Sequence, residues 1–400
     1  MQHVLNFEPQ DESLVDEQVM EAYTSCRTNK RNTPSAQKFE LELRQNLCAI
    51  SDVLFKGQYT PGRSTAFIVT SPVKREIFAA IFSDRIVHHW LIERLNPLFE
   101  KQFLRDSYAC RVGKGTHFGI RQVSHMLEHV SGKYSCEAYV LKLDIKGFFM
   151  NIRRDLLYNK LRSFVLARYQ APDRWRVLQV MEAIVMDDPS KNCIIRGSKK
   201  KWLGLPADKS LFTTPEGCGL PIGNLTSQVF ANFYMDFFDH WVESALHKDG
   251  RGGRYGRYVD DFVIVHPDRA FLKKFKHSVG VYLQEELALK VHPKKVYLQR
   301  AEQGLTFLGA DIRNRHVLPG KRIKGNFYHA ITKLNRRMQM EGPTAALLAD
   351  GLAVVNSYLG MLGNTSSERY CKRQNKRLSA PWQAHYHTWS EKKIWRKTAS

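Results

Sequence analysis

The spacing of apolar residues changes along the chain, and each change predicts an element. From 10 to 56 they recur at mixed three- and four-residue intervals, which predicts helix until Gly57 and the Pro61-Gly62 pair break it. Residues 64–70, STAFIVT, read as a strand, and 76–104 as a helix-rich segment. A basic, glycine-punctuated loop at 111–117 leads into a helix over 118–130. Residues 139–143, YVLKL, predict a strand, and 153–165 and 175–186 predict helices. A polar Lys-, Pro- and Gly-containing loop fills 187–218, and a glycine turn then opens an apolar helix that runs to about 247. A hairpin over 257–265, a helix over 268–288, and strands at 290–299 and 305–312 follow. The remainder reads as mostly helical, and no internal repeat is present. Strands alternating with helices before a strand-poor tail predict an α+β core over 64–312. A helical extension (1–63) precedes it and a basic helical region (313–400) follows.

Within the hairpin, RYVDDFVIVH (257–266) sets Asp260 and Asp261 into an apolar run. Strands are depleted in aspartate, and a buried unpaired carboxylate costs several kcal/mol as an order of magnitude. A turn at Asp260-Asp261 between 256–259 and 262–265 is the ordinary reading. Presentation of both carboxylates to a divalent metal is the other, and a turn is also how such a site would be built. Asp144, in LDIKGFF (143–149), ends an apolar strand before Gly147, where a helix cap or turn role competes with a catalytic one. GLPIGNLTSQ (219–228) puts Gly223 before a helix whose first turns carry Ser227 and Gln228, where capping is again the plain alternative.

Composition narrows the partners. The formal net charge of +22 calls for a polyanion, nucleic acid before an anionic membrane surface. No run of about 18 apolar residues is apparent to support a membrane-embedded protein. The N-terminus is acidic and lacks the regions of a signal peptide. Seven scattered cysteines with no CxxC pair predict a reduced cytoplasmic protein without disulfides or structural zinc, most of the thiols acting as buried small hydrophobes.

The order LDIKGFF, GLPIGNLTSQ, YVDD resembles a reverse transcriptase. REIFAAIFSDRIVHHWL (75–91), DSYACRVGKGTH (106–117), LKVHPKKVYL (289–298) and FLG (307–309) resemble the blocks around those motifs. The likeness spans 64–312. The Ile-Gly and Ser-Gln form of the second motif, with LPADKSLF upstream, is most similar to prokaryotic diversity-generating retroelement enzymes and to related defence-associated ones. The resemblance implies a right-hand polymerase fold: fingers and a palm with an antiparallel sheet, plus a short helical thumb.

It also implies roles. DNA synthesis is an in-line attack of a primer 3′-hydroxyl on a dNTP, for which two Mg²⁺ ions, with Mn²⁺ as a substitute, suit a small set of carboxylates. Asp144, Asp260 and Asp261 are the implied catalytic ligands, joined by the Ile145 carbonyl. Phe149 is implied to exclude a ribose 2′-hydroxyl, Phe148 being a core aromatic. Arg75, Gly223, Gln228 and Lys295 are the implied dNTP contacts, with Lys294 competing for the last role. Arg111, Ile222, Leu308 and Gly309 are implied to meet template and primer. Arg85 reads equally as a phosphate contact or a structural partner of Asp84 or a neighbour. Lys74 stands one residue off the usual fingers Lys-x-Arg pattern, which leaves its role in doubt. Ile222 in place of a polar residue fits low fidelity at template adenines.

The basic tail, with Trp382, Trp389 and Trp395 interleaved, suits a duplex backbone and base stacking, or else a solvated face over core tryptophans. No RNase H segment follows it, so polymerisation without cleavage is expected. The implied partners are a structured noncoding template RNA, a cDNA/RNA duplex, dNTPs and a small basic accessory protein, with no membrane. A defence enzyme copying its own adjacent RNA is the second reading. A non-enzymatic RNA chaperone is the third, and the intact aspartates argue against it.

Overall fold

In the computed structural model, the described residues are 12–28, 30–70, 73–314, 316–390 and 393–396, with side chains through residue 386. The elements, in order, are α1 (Glu12–Arg27), α2 (Pro34–Glu40), α3 (Leu43–Phe55), β1 (Thr65–Val69), β2 (Arg75–Ala79), α4 (Phe82–Gln102), α5 (Thr116–Val130), β3 (Tyr139–Asp144), α6 (Phe148–Asn151), α7 (Arg154–Arg168), α8 (Arg174–Met186), β4 (Ile194–Ile195), α9 (Leu225–Asp249), β5 (Arg254–Tyr258), β6 (Asp261–His266), α10 (Arg269–Leu287), β7 (Tyr297–Arg300), β8 (Leu305–Phe307), β9 (Ala310–Arg313), β10 (His316–Pro319), α11 (Lys321–Glu341), α12 (Ala345–Leu362), α13 (Glu368–Asn375), α14 (Ala380–His385), β11 (Tyr386–Ser390) and β12 (Lys393–Arg396). The α+β expectation holds.

A four-stranded antiparallel sheet, in the order β5-β6-β3-β7, is the centre. Its strands alternate between two cores, as a pleated sheet covered on both faces requires. Leu141, Leu143, Phe262 and Ile264 face the larger core, built with α9, α10 and α4. Val140, Val263 and Val265 face a second one, built with α5, β8 and β9. Toward Asp144 that second cover stops, and the sheet face opens into a cleft.

Two smaller sheets flank the cleft. One runs β2-β1-β4 and the other β10-β9-β8. The helices α11–α14 enclose their own core around Phe327, Val355 and Trp382. The N-terminal helices are not a separate unit: Val15, Val19 and Leu54 belong to the same core as Leu141 and Phe262.

Several sequence expectations change. Residues 75–79 form a strand rather than the start of a helix, because Arg-Glu-Ile-Phe-Ala alternates exposed and buried side chains. The expected strand over 305–312 is a hairpin, since Leu308 and Gly309 both adopt positive φ, +51° and +81°. Only Tyr297–Arg300 of the 290–299 stretch is a strand. The tail ends in a hairpin rather than a helix.

Trp382 is fully buried, donating to the Leu334 carbonyl, so it is a core side chain; those of Trp389 and Trp395 lie outside the described residues. None of the seven cysteines is in a disulfide, and only Cys26 and Cys371 are buried. Among the described residues one helix, Ala345–Leu362, has the length and mean hydropathy (1.5) to cross a membrane. Looking for uninterrupted apolar runs misses it because Asp350 and Asn356 break the run without lowering the mean enough. In the structure its Leu347, Val355 and Leu359 pack into the C-terminal core.

Candidate active site

Register places the carboxylates. Asp144 ends β3 directly opposite Asp261, the first residue of β6. Two residues back, Lys142 shares the Asp144 face, as the two-residue period of a strand demands. Asp260 lies in the turn between β5 and β6. The turn residues are therefore Val259 and Asp260, one position earlier than the sequence suggests, with Tyr258 paired to Asp261. This shift puts Asp261 on the same face as Val263 and Val265.

Val259 adopts φ +58°, which is unfavourable for a β-branched residue and persists only where the surroundings enforce it. Arg257 supplies that enforcement. Fully buried, it donates to the Val259 carbonyl (3.0 Å) through Nη1 and to Asp239 through Nε (2.6 Å) and Nη2 (2.5 Å). Burial opposes the guanidinium charge, but the adjacent Asp239 more than offsets it and raises the pKa. The segment around Ser107 lies against Arg257 as a further edge: Arg257 N donates to the Asp106 carbonyl (2.8 Å), and Tyr108 N donates to that of Arg257 (2.9 Å). On the other side, Ile145 N donates to the Asp260 carbonyl (3.2 Å), and His292 N donates to that of Asp144 (2.7 Å).

The carboxylates carry more negative charge than their surroundings balance. Burial, then the charges of Asp144 and Asp261, push Asp260 up to about 6. Burial pushes Asp261 to about 6 against the pull of Lys142. Lys142 Nζ sits 3.0 Å from Asp261 Oδ2 and donates to the Thr306 carbonyl (2.9 Å). Lys295 Nζ holds both oxygens of Asp144, at 2.9 and 2.8 Å. Burial works against the Lys295 charge, but the bond to Asp144 and the three carboxylates outweigh it and raise its pKa.

Asp261 Oδ1 is buried with no hydrogen-bond partner. Among the described residues no three His, Cys, Asp or Glu side chains are already gathered as a metal cage. Lysines hold two of the three carboxylates instead. An unmet buried oxygen and two carboxyls raised by burial and by the charge of nearby Asp144 fit a site that takes cations.

A cleft of about 1270 Å³ gathers most of the expected residues: Asp144, Ile145, Phe149, Asp260, Asp261 and Lys295, with Arg75, Ile222, Leu308 and Gly309 along the same walls. Phe148 and Phe149 both border it, Phe148 being the more deeply buried of the two. Three residues do not line it. Gly223 (φ +129°) is needed where the loop crosses β2, since a Cβ there would lie 2.9 Å from the Phe78 carbonyl oxygen. Gln228 is exposed and accepts from Cys110 Sγ (3.2 Å). Arg111 is engaged internally by Glu100 (2.8 Å) and the carbonyls of Leu104 (2.5 Å) and Ser107 (3.1 Å), a tie between α4 and its following loop. Arg85 donates to the Ala80 carbonyl (2.8 Å), the neighbour alternative rather than the Asp84 pair. Lys142 escaped the sequence reading, although its place two residues before Asp144 was the available signal.

Residues 74–312, more than half of the chain, match the family model described as reverse transcriptase (RNA-dependent DNA polymerase). The chain belongs to the reverse transcriptase family. It is accordingly a nucleotidyltransferase. This reverse transcriptase is 20% identical to Protein YkfC of Escherichia coli (strain K12) over 343 residues, 76% of this chain and 83% of that one. Among solved structures it is similar to telomerase from Candida albicans in complex with a fragment of telomeric RNA (TM-score 0.48, 13% identity, 80% of this chain and 55% of that one). It is also similar to apo telomerase from Candida tropicalis (TM-score 0.46, 12% identity, 79% and 60%). The reverse transcriptase thus spans a little over half the length of those telomerase chains.

Proposed function

We propose that this protein is an RNA-templated DNA polymerase of the diversity-generating type, which copies a structured noncoding RNA into cDNA in the cytoplasm of a prokaryote. One observation carries the polymerase reading. Asp144 and Asp261 stand opposite each other on paired strands, with Asp260 at the adjoining turn, all facing one cleft. In this reading β5-β6-β3-β7 is the palm, β2-β1-β4 belongs to the fingers and the α11–α14 region is the thumb. The subgroup rests on the Ile222-Gly223 and Ser227-Gln228 form of the motif before α9.

Asp144 and Asp260 would hold two Mg²⁺ ions, with Asp261 and the Ile145 carbonyl beside them. Bound there, such ions stabilise charge on the attacking and leaving oxygens of an in-line displacement. The chain's own residues do the rest. Phe149 packs under the sugar and leaves no room for a 2′-hydroxyl. Arg75 offers a planar fork to the triphosphate. Lys295, released from Asp144, stands ready to donate a proton toward the departing pyrophosphate. Ile222, apolar in the cleft wall, lets the template base shift.

The test is to co-purify the protein with its native RNA, add Mg²⁺ and dNTPs, and sequence both the RNA and the DNA made, with Asp260→Asn alongside. Metal-dependent cDNA with errors concentrated opposite adenines is the expected result. Faithful or repetitive cDNA from a short neighbouring RNA would replace the diversity-generating reading with the defence one. Absence of any Asp260-dependent DNA would remove the polymerase reading.

A further inference from the structure

The polar loop over 187–218 is tethered. Glu76, on β2 and 1% exposed, accepts from Trp202 Nε1 (2.6 Å), Ser210 Oγ (2.7 Å) and the Leu211 amide (2.6 Å). Lys74 donates to the Leu203 carbonyl (2.6 Å). Thr213 Oγ1 closes the turn onto the Ala207 carbonyl (2.7 Å), and Phe212 packs against Phe78 (5.4 Å between ring centres).

From this base the short helical turn Ala207–Lys209 reaches the backbone just after Asp144. A Cβ on Gly147 would lie 2.8 Å from the Asp208 carbonyl oxygen, so only glycine permits the approach. Lys209 is therefore held from both sides: Asp208 rests on Gly147, and Ser210 and Leu211 are bound by Glu76. Its side chain is exposed and lines the cleft with Arg75 and Phe149.

The cations around the cleft differ in occupation. Lys74, Lys142 and Lys295 each donate to a protein oxygen. Among the described residues, Arg75, Lys209, Arg313, Lys321 and Arg322 line the cleft with no such acceptor, and of these Lys209 is the one carried on a turn that rests at Gly147, just after Asp144. A cation carried into a cleft on a fixed turn and left unpaired is suited to an anionic ligand. Asp208 lines the cleft beside Lys209 and tempers its charge.

We propose that Lys209, presented by the Glu76-anchored turn, contacts the triphosphate of the incoming dNTP together with Arg75. This rests on the polymerase reading above.

The experiment is single-nucleotide incorporation on an RNA template with a DNA primer, alongside fluorescence anisotropy of the labelled duplex. Lys209→Ala is expected to raise the KM for dNTP about tenfold, the usual range for one charge-assisted hydrogen bond, with kcat changed less than about twofold and duplex affinity unchanged. Lys209→Arg should recover most of the loss. Trp202→Phe, which loosens the tether but keeps a ring, should move KM in the same direction by less. Lys191→Ala, which removes only a surface pair with Glu216, should match wild type. An unchanged KM in Lys209→Ala, or a weakened duplex affinity in its place, would overturn the inference while leaving the polymerase intact. A wild-type protein that incorporates nothing would instead overturn the polymerase reading, and this contact with it.

Discussion

Two hairpin turns line the cleft, and both hold a non-glycine residue at positive φ: Val259 at +58° and Leu308 at +51°. Each such residue costs on the order of 1–3 kcal/mol, so each needs support from elsewhere. The supports differ in kind. Behind Val259 stands a fully buried ion pair, Arg257 with Asp239, set into a sheet covered on both faces. Behind Leu308 stand glycines. Gly320 N donates to the Gly309 carbonyl (2.8 Å), a Cβ on Gly320 would lie 2.7 Å from that oxygen, and a Cβ on Gly309 would meet Ile323 on α11. The first turn is fixed from within the central sheet. The second depends on where α11 sits. In the polymerase reading proposed above, carboxylates that hold ions need a fixed geometry, which the central sheet supplies, whereas the Leu308 turn is tied to the C-terminal helices.

The largest effect is expected from Asp260→Asn, which should cut incorporation by roughly 10³-fold in a single-turnover assay, on the scale of losing one key electrostatic group. The same substitution should raise the melting temperature of the metal-free protein at pH 7.5, because it removes a carboxylate that its surroundings disfavour. Next, Arg257→Met should lose about 3–5 kcal/mol in urea denaturation by stranding Asp239, while Gly320→Ala should lose about 1–3 kcal/mol through crowding. Equal losses would erase the distinction between the two supports.

A smaller effect concerns pH. The folded-state values of Asp260 and Asp261, about 6, lie above the ordinary 3.8. Their contribution to stability is therefore full below about pH 4 and is lost as pH rises through about 6, by roughly 3 kcal/mol per group. Melting curves of the metal-free protein should show this fall, and Mg²⁺ should raise the midpoint more at pH 7.5 than at pH 5. Smallest of all, Val259→Gly and Leu308→Gly should each change stability by less than about 1 kcal/mol, since relief of the positive φ offsets the added chain entropy. A large loss in either would mean that its side chain, rather than its backbone, holds the turn.

Much of this was legible in the sequence because alternation of period two and the order of carboxylate motifs are local signals. Strands β1, β3 and β6 and helices α5 and α7–α10 fall where the pattern predicts them. The one-residue shift of the Asp260 turn was not legible, because the register with Tyr258 is set by pairing between strands. Arg111 reads as a ligand-facing cation in isolation, and only its position beside Glu100 on α4 shows its donors taken. Lys142 and Glu76 were passed over for the converse reason. Lys142 looks like the polar half of an alternating strand, and Glu76 like the polar start of a helix, until the distant groups that meet them, Asp261 and Thr306 or Trp202 and Ser210, are in place.

The continuity of the main core has a practical consequence for anyone cutting the chain down. The stretch matching the family, residues 74–312, begins after α1–α3, yet those helices pack on α4 and share its core. A fragment started at residue 74 would strip the buried Phe82 of its ring partner Phe39 (5.1 Å between ring centres) and the buried Arg176 of its acceptor on Leu54. The smallest piece worth expressing is therefore longer than the smallest piece that can be recognised.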